Sequence, residues 1–337
     1  MSNSKTLSVV IPCYNEANYI ENCIESLLNN GFDKTKMEIL VVDGMSNDGT
    51  RELVNKLNAS NSQVRLIDNP KKKTPFALNL GINNASNNYI LIASAHSSFD
   101  QGYINTLFEE KEKLSADVIG GIMETKVKNL TPTSKAIKEV LSNKFGVGNA
   151  LFRTGIKEAM EVDTVPFGIY ETKLLQEVEG YNPQLIRNHD IELSKRLLKK
   201  GIKIMLTPAT KCYYYARETY GQLAQNNYRN GKWNLLTVFI TKDFTSLSLR
   251  HFIPLIFVLS ILVPLLLSVL YFPFIYLSLL AFTSYLLALV VVIIKTVDLK
   301  QTTFFHALRA FVTLHFAYGI GSLVGLLGYF KVSNSDK

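Results

Sequence analysis

The chain has 337 residues, of which 47% are hydrophobic and only 19% charged, and it carries a formal net charge of +8. The apolar excess lies after residue 250, which is unusual for a purely soluble enzyme. No basic stripe is interleaved with stacking aromatic residues, so the charge favours a domain lying against anionic lipid over a nucleic-acid-binding protein. The first apolar run, Leu7 to Ile11, is too short for a secretory signal, and the amino-terminal domain is therefore expected to stay in the cytosol. The cysteines, Cys13, Cys23 and Cys212, lack metal-ligand spacing and are expected to be reduced, small apolar side chains.

The first 50 residues predict a strand, a helix and a second strand. Leu7 to Ile11 and Glu38 to Val42 are short runs rich in Val, Ile and Leu, typical of strands buried on both faces of a parallel sheet. Ala17 to Leu28 has apolar residues at helical spacing and is closed by Gly31. The same alternation continues with predicted helices over Gly49 to Leu57 and Pro75 to Asn84, and predicted strands over Val64 to Asp68 and Tyr89 to Ala93.

Polar side chains follow each of the four predicted strands. They are Asn15, Asp43, Asp68, and the pair Ser94 and His96. Any one of them is explained by the preference of such residues for turns. Ligands of open α/β sheets bind at the carboxyl ends of the strands, so four polar ends together favour a nucleotide site.

Three segments resemble a known family: SVVIPCYNEANYIENCIESL, VVDGMSNDGT and the later RNHDIEL. Taken as an ordered set they are similar to the inverting family 2 glycosyltransferases, and most closely to their succinoglycan-biosynthesis branch of membrane-anchored sugar transferases. The resemblance spans residues 7–330. It implies an α/β GT-A fold, with a Rossmann-like nucleotide half fused to an acceptor half, that uses a nucleotide-diphosphate sugar and a divalent metal. On this resemblance Tyr14, Asn15, Glu16 and Asp43 would bind the nucleotide, and Asp68 would lie beside the nucleotide in the same nucleotide-sugar site.

The resemblance places the family's metal motif, Asp-x-Asp or in this branch Asp-x-His, at Ser94, Ala95 and His96. The first acid is missing, and Ser94 offers only a neutral hydroxyl to a metal that prefers hard oxygen ligands. His96 is a competent ligand for Mn²⁺ and a poor one for Mg²⁺. Three hypotheses remain: weaker metal binding completed by diphosphate oxygens and water, a substitute acid such as Asp100, or loss of activity. We favour the first, with His96 at the metal (Mn²⁺ or Mg²⁺) and Ser94 in the nucleotide-sugar site.

The middle of the chain is less regular, as expected for an acceptor half. Ala116 to Glu124 predicts a strand and Lys135 to Leu141 a short helix. The glycine- and aromatic-rich segments Phe145 to Arg153 and Thr164 to Tyr170 are either ordinary loops or, on the resemblance, the lining of the acceptor site. The run Lys71 to Lys73 favours a solvated loop over a diphosphate clamp.

The segment from Gly180 to Gly201 predicts a helix that opens at Asp190. The spacing alone favours an ordinary cap, because a carboxylate is stabilised at a helix start. The resemblance instead places Asp190 at the family's general base, and His189 at the position of the Glu that usually precedes it. Glu192 and Arg196, four residues apart, predict a local ion pair.

Farther on, Gln225, Arg229 and Trp233 resemble the Gln-x-x-Arg-Trp element of processive relatives, with loosened spacing. Together with His189 they would contact the acceptor or clamp the leaving diphosphate, and Arg217 is a second cation near the same site. An amphipathic helix lying on the membrane surface is the equal alternative.

Uncharged apolar runs cover 252–271, 273–294 and 310–330, each long enough to cross a hydrocarbon core of about 30 Å. We therefore predict a catalytic domain over 1–240, a juxtamembrane segment over 241–251, a three-span anchor over 252–330 and a tail over 331–337. Five basic residues lie on the same side of the spans as the catalytic domain: Lys242, Arg250, Lys295, Lys300 and Arg309. Only Lys331 and Lys337 lie on the other side, so the positive-inside rule predicts that the catalytic domain is cytoplasmic. Glycines of the third span, Gly319, Gly321, Gly325 and Gly328, predict close helix packing, and His315 is expected to pack there rather than to contact an acceptor.

The expected function is transfer of a hexose, with inversion, from a nucleotide-diphosphate sugar, expected to be UDP-linked, to a lipid-diphosphate-linked saccharide. The reaction would take place at the cytoplasmic face of the cell (inner) membrane during exopolysaccharide or capsule biosynthesis. Three spans are too few for a secretion channel, so we predict one or a few additions. The alternatives are a catalytically degenerate membrane scaffold of the same fold, suggested by Ser94, and a processive polysaccharide synthase.

Overall fold

The computed structural model describes residues 5–244 and 247–333. By its internal contacts the chain divides into two compact units. The first comprises the residues up to Glu124 together with Leu151–Tyr215, and the second comprises Thr125–Ala150 together with the residues from Ala216 on. The predicted domain limits stay predictions, and Lys337 of the predicted tail lies outside the described residues.

The strands and helices alternate through the first unit and give way to helices alone in the second. The strands are β1 Leu7–Cys13, β2 Met37–Asp43, β3 Val64–Asp68, β4 Tyr89–Ile92, β5 Ser97–Phe99, β6 Val118–Lys126, β7 Met160–Glu161, β8 Ile169–Glu171 and β9 Ile204–Tyr215. The helices are α1 Ile20–Leu28, α2 Thr50–Ser60, α3 Thr74–Asn84, α4 Tyr103–Lys113, α5 Pro132–Ser142, α6 Lys144–Val147, α7 Leu151–Thr154, α8 Thr172–Glu177, α9 His189–Lys199, α10 Tyr220–Thr241, α11 Ile253–Leu267, α12 Phe274–Thr296 and α13 Phe304–Ser333.

A mixed sheet organises the first unit, in the order β3-β2-β1-β4-β8-β6-β9-β5, with β7 paired to β9. The first four strands in this order run parallel, and β8 pairs antiparallel with β4. Since β1 lies between β2 and β4, the carboxyl ends of these three strands are direct neighbours at one edge. The register aligns Cys13 with Asp43 and Asp43 with Asp68.

Both faces of the parallel strands are buried, as their continuous apolar sequences predict. Val9 and Ile11 of β1 belong to a core cluster formed with α1 and α4, whereas Val10 belongs to a second cluster formed with α3 and α9. Successive side chains of a strand point to opposite faces, so this division follows from the period of two.

Most predicted elements are present, with shifted ends. The helix predicted from Ala17 begins at Ile20, because the chain from Asn15 to Ala17 forms a loop bonded to the start of α2. The strand predicted from Ala116 begins at Val118. The sequence did not indicate β5, β7, β8 or β9. β5, β7 and β8 have only two or three residues each, and β9 mixes apolar residues with Lys and tyrosine side chains that do not alternate cleanly.

The second unit contains three helices long and apolar enough, by length and composition, to cross a membrane: Leu249–Leu267, Phe274–Thr296 and Phe304–Gly328. They correspond to the three predicted spans, although α13 begins six residues before the predicted residue 310. One face of the added turns packs into the core of the unit through Ala307, which is buried together with Ala310 and Phe311, whereas Phe305 is exposed.

Glycines let α10 and α13 approach until their backbones touch. A β-carbon at Gly231 would overlap the carbonyl oxygen of Tyr318, and one at Gly321 would overlap that of Tyr228. Gly319 faces α11 at Pro254 in the same way, whereas Gly328 has open space around it. The predicted packing is therefore found at Gly319 and Gly321, and also at Gly325, but not at Gly328.

The segment Thr125–Ala150 is hydrogen-bonded to the apolar helices and to the connection between α12 and α13. The hydroxyl of Thr302 donates to Pro132 O at 2.8 Å, and Asn143 Nδ2 donates to Thr296 Oγ1 at 2.6 Å. The ring of His315 bridges Tyr285 OH and Phe145 O, each at 2.9 Å. His315 is thus a packing residue, as expected from its place in the span.

Replacement of Gly321 by Ala tests the backbone contact of α10 with α13. The added methyl group has no room beside Tyr228 O, so we expect the chain to lose about 1–3 kcal/mol of stability through overpacking. Gly328→Ala is the matched control, since the same methyl group meets nothing there. Thermal unfolding of the two variants in detergent measures the difference, and equal transition temperatures would show that the two helices are not in close contact.

Candidate functional site

The candidate site lies at the carboxyl ends of β1, β2 and β4, in the first unit. Its central group is Asp43, the last residue of β2, whose side chain is fully buried. The carboxylate accepts from Ser46 N at 2.9 Å, from Ser46 Oγ at 2.5 Å and from Arg51 at 2.8 Å. A buried carboxylate needs such donors, because an unpaired charge away from water is costly.

Arg51, in the first turn of α2, joins the ends of two neighbouring strands. One guanidinium nitrogen bonds to Asp43 and the other to Asp68, both at 2.8 Å. These bonds to two carboxylates raise the pKa of Arg51 above its already high ordinary value. Asp68 therefore lies close to Asp43, with the guanidinium of Arg51 between them, and its place beside a nucleotide stays a prediction.

The loop after β1 is fixed by the loop after β2. Asn15 has a left-handed backbone, with a φ of 55°; its amide donates to Ser46 Oγ at 2.8 Å, and its side-chain oxygen accepts from Asn47 N at 3.1 Å. The amide of Glu16 donates to Thr50 Oγ1 at 2.8 Å. Tyr14 is 48% exposed and lies against Gly44, so its ring is available to a ligand at this edge.

Ser94 and His96 lie in a tight turn between β4 and β5. Ser97 donates to Ser94 O through its amide at 2.9 Å and its hydroxyl at 2.6 Å, which closes the turn. His96 Nε2 lies 2.6 Å from Glu16 Oε1, and its ring meets that of Tyr19 edge-on at 4.6 Å. Two predicted site residues from neighbouring strands are thus in direct contact.

The donor set for a metal is small. Among the described residues, no group of three or more His, Cys, Asp and Glu side chains could hold an ion. Asp100, considered as a substitute acid, lies one residue beyond β5. Its carboxylate accepts a hydrogen bond from Tyr213 OH at 2.6 Å. His96 with its neighbouring carboxylate is the donor pair that remains at the strand ends.

Asp190 is the second residue of α9 and is exposed. The residue at the cap position is Asn188, which has a left-handed conformation, so Asp190 is not the capping residue, and it lies exposed in the first turn of the helix. Burial, and then the charge of Asp190, raises the pKa of Tyr170, which lies on β8 next to β4. The charge of Asp190 therefore acts on Tyr170 of the central strand β8.

His189 and the first turns of α9 have structural partners. The ring of His189 packs edge-on against Tyr181 at 5.6 Å, and burial lowers the pKa of the imidazole, which favours its neutral form. Glu192 and Arg196 form the predicted ion pair at 2.6 Å, and Arg196 also donates to Val178 O and Gly180 O. The start of α9 is therefore rigidly attached to the loop before it.

The predicted clamp residues belong to the second unit, on α10. Gln225 and Arg229 are exposed and Trp233 is partly exposed, and their spacing of four places them along one stripe of the helix. The opposite stripe, which contains Asn227, Gly231 and Asn234, is buried. This helix leaves the three side chains available, and their roles stay predictions.

Two other predictions concern side chains without an assigned role. The amine of Lys71 lies over the ring of Phe76 at 4.2 Å, at the start of α3. The three cysteines are free and buried, as expected for apolar side chains. Burial raises the pKa of Cys23 and of Cys212 to about 12, so neither thiol is a nucleophile near neutral pH.

Sequence reasoning missed the residues that organise the site, namely Ser46, Asp48, Thr50 and Arg51. Asp48 accepts from Ala17 N at 3.1 Å and from Thr50 Oγ1 at 2.5 Å, so the two strand-end loops are bonded to each other. The signal was the run SNDGTR after β2, because Ser, Asp and Thr side chains commonly bond to nearby backbone amides.

We expect Arg51→Gln to reduce the free energy of unfolding by about 1–3 kcal/mol, because it leaves the buried carboxylate of Asp43 without its cation. Arg65→Gln is the control, since the Arg65–Glu38 pair at 3.2 Å involves a half-exposed arginine and should contribute below about 1 kcal/mol. Chemical denaturation of both variants measures this, and an Arg51 variant as stable as the Arg65 variant would contradict the account.

Comparison with known proteins gives three relevant similarities. The family model "Glycosyl transferase family 2" matches residues 8–176. The chain is 28% identical, over 69% of its length and 77% of the relative, to the dolichyl N-acetyl-alpha-D-glucosaminyl phosphate 3-beta-D-2,3-diacetamido-2,3-dideoxy-beta-D-glucuronosyltransferase of Methanococcus voltae. It is 30% identical, over 62% of its length and 63% of the relative, to the succinoglycan biosynthesis protein ExoA of Rhizobium meliloti (strain 1021).

Among solved structures, the chain is similar to S. aureus TarS 1-349 in complex with UDP-GlcNAc, with a TM-score of 0.53, 16% identity and coverage of 96% of this chain and 92% of that one. This likeness concerns the fold, and it confirms the predicted GT-A fold. The three apolar helices that follow it are present in the chain's own structure. With the family model matching half of the sequence, the chain belongs to glycosyl transferase family 2 and is a glycosyltransferase.

Proposed function

We propose that this glycosyltransferase moves a hexose, with inversion, from a nucleotide-diphosphate sugar to a lipid-diphosphate-linked saccharide. The observation that carries the proposal is the cluster at the carboxyl ends of β1, β2 and β4, in a chain of family 2. Tyr14, Asn15 and Asp43 with Asp68 offer an aromatic face, an amide and carboxylates where open α/β sheets bind nucleotides. The fixed loops make these groups ready for a ligand without reordering.

The lipid-linked acceptor is supported by the three apolar helices. An acceptor whose lipid stays in the bilayer requires an enzyme that works at its surface, and α11 to α13 are long enough to anchor one. Two relatives point the same way: one is named for a dolichyl-linked sugar phosphate and the other for succinoglycan biosynthesis. We assign the product to exopolysaccharide or capsule biosynthesis, with one or a few additions per acceptor.

Asp190 is our candidate for the general base. Inversion requires a base that removes the proton from the acceptor hydroxyl while the diphosphate leaves from the opposite face of the sugar. Asp190 is an exposed carboxylate on a rigid helix start, and it is not used as a cap. The neutral His189 next to it would orient the acceptor. The roles of Gln225, Arg229 and Trp233 on α10, as acceptor contacts or a diphosphate clamp, stay predictions from the sequence.

A divalent cation fits the strand ends through His96, whose imidazole already lies against a carboxylate. Ser94 lies in the same turn and would contribute through its hydroxyl or through water. When bound there, Mn²⁺ or Mg²⁺ would neutralise charge on the donor diphosphate. The small donor set fits a cation that the diphosphate oxygens help to bind.

We expect Asp190→Asn to lower the transfer rate by about a hundredfold to ten-thousandfold while leaving nucleotide affinity unchanged, because only the proton acceptor is lost. Transfer of radiolabelled sugar into the lipid fraction and equilibrium dialysis with UDP measure the two properties. Glu177→Gln, an exposed acid on α8, is the control and should retain full transfer. Equal transfer by the two variants would remove Asp190 from the mechanism.

The proposed orientation places the first unit in the cytoplasm, with residues between α11 and α12 on the far side of the membrane. A membrane-impermeant maleimide added to intact cells should therefore label Phe272→Cys, whereas Lys300→Cys, between α12 and α13, should react only after permeabilisation. Both positions are exposed, and the native cysteines are buried. The reverse labelling pattern would place the catalytic unit outside.

A further inference from the structure

The position that would carry the first acid of the metal motif is Ser94, a neutral residue. A cation bound only by the Ser94 hydroxyl and the His96 imidazole would have no anionic protein ligand. Hard divalent cations prefer carboxylate oxygens. A carboxylate of this chain close to His96 would supply the missing anionic protein ligand.

Glu16 provides a carboxylate at this point from the neighbouring strand. It lies three residues beyond the end of β1, His96 lies four residues beyond the end of β4, and these two strands are parallel neighbours. The two side chains are only 15% and 10% exposed, and Glu16 Oε1 lies 2.6 Å from His96 Nε2. The adjacency of the strands, not sequence proximity, brings the two donors together.

The spacing of these atoms is close to that of two ligands of one cation. Protein ligands lie about 2.1 Å from a small divalent metal, so two ligands in adjacent positions of an octahedron are about 3 Å apart. Separating the Glu16 and His96 donor atoms by a few tenths of an ångström is enough to place both within bonding distance of one metal ion. No backbone movement is needed for such a change.

The backbone on both sides of the pair is already fixed. The amide of Glu16 donates to Thr50 Oγ1 at 2.8 Å, and its carbonyl accepts from Tyr19 and Ile20 at the start of α1. The carbonyl of His96 accepts from Tyr215 N at 2.9 Å, and Tyr19 packs against the imidazole. Ligands held in this way lose little conformational freedom on binding a cation.

We propose that Glu16 is the anionic metal ligand of this enzyme and takes the place of the acid missing at Ser94. The proposal rests on the proposed function, because it assumes a cation bound to the donor diphosphate. It differs from the role of nucleotide-binding residue that the family resemblance implies for Glu16. It also explains how the chain keeps a functional metal site with a serine in the motif.

The test measures Mn²⁺ binding to the purified full chain in detergent with saturating UDP. The electron paramagnetic resonance signal of free Mn²⁺ reports how much of the ion is unbound. We expect Glu16→Gln to weaken Mn²⁺ binding by about tenfold to a hundredfold. Glu25→Gln, an exposed acid on α1, is the matched control and should bind Mn²⁺ like the wild type. Unchanged Mn²⁺ affinity in Glu16→Gln would overturn the proposal.

A rescue experiment tests whether a carboxylate at position 94 replaces that of Glu16. If Mn²⁺ binding requires one anionic protein ligand, then Ser94→Asp introduced into Glu16→Gln restores a carboxylate and most of the Mn²⁺ affinity. A double variant that binds Mn²⁺ as weakly as Glu16→Gln would overturn the proposal, and the carbon coupling described below separates a bound carboxylate from one that only orients His96. Thermal unfolding of each variant without metal shows whether the fold is intact.

Should Glu16→Gln fail to fold, the wild type answers the question. Chain prepared with ¹³C-carboxyl-labelled glutamate and loaded with Mn²⁺ and UDP should show electron–nuclear double resonance coupling to a directly bound carboxylate carbon. No such coupling would overturn the proposal. A wild type that binds no Mn²⁺ with UDP, GDP or dTDP would overturn the metal role in the proposed function as well, whereas Mn²⁺ binding independent of Glu16 would overturn only this inference.

Discussion

The candidate site depends on one constraint, the buried carboxylate of Asp43. Removing such a charge from water costs several kcal/mol unless donors surround it. The donors come from the loop after β2 and from Arg51 on α2, which also reaches Asp68 on β3. The loop after β1 is in turn bonded to Ser46, Asp48 and Thr50. One buried charge therefore determines where two strand-end loops lie, and with them Tyr14 and Glu16.

The parallel order of the strands converts this local network into a site. Because β1 is adjacent to both β2 and β4, the fixed loop after β1 faces Asp43 on one side and His96 on the other. Glu16 contacts His96 although 80 positions separate them in the sequence. The chemistry that we propose, binding of a nucleotide diphosphate with a cation, follows from this convergence in a family 2 glycosyltransferase.

The sequence predicted the parallel strands well because their signal is local. Short continuous runs of Val, Ile and Leu that alternate with amphipathic helices are typical of buried parallel strands. The polar residues after these strands were identified for the same reason. Arg51 was missed because an arginine in the first turn of a helix carries no signal for a partner on a neighbouring strand. The Glu16–His96 contact depends on strand order, which no local pattern reveals. The strand β8 was missed because a strand of three residues is too short to show a pattern.

The most direct test of the account uses membranes that contain the full chain, incubated with a panel of radiolabelled nucleotide sugars and extracted lipid-linked acceptor, with Mn²⁺ or with EDTA. We predict that label from one donor enters the lipid fraction with Mn²⁺ and that EDTA abolishes this transfer. Transfer that persists in EDTA would contradict the role of the metal. If no donor labels a competent acceptor pool, the proposed reaction is wrong, and the serine at position 94 marks a site that has lost its activity.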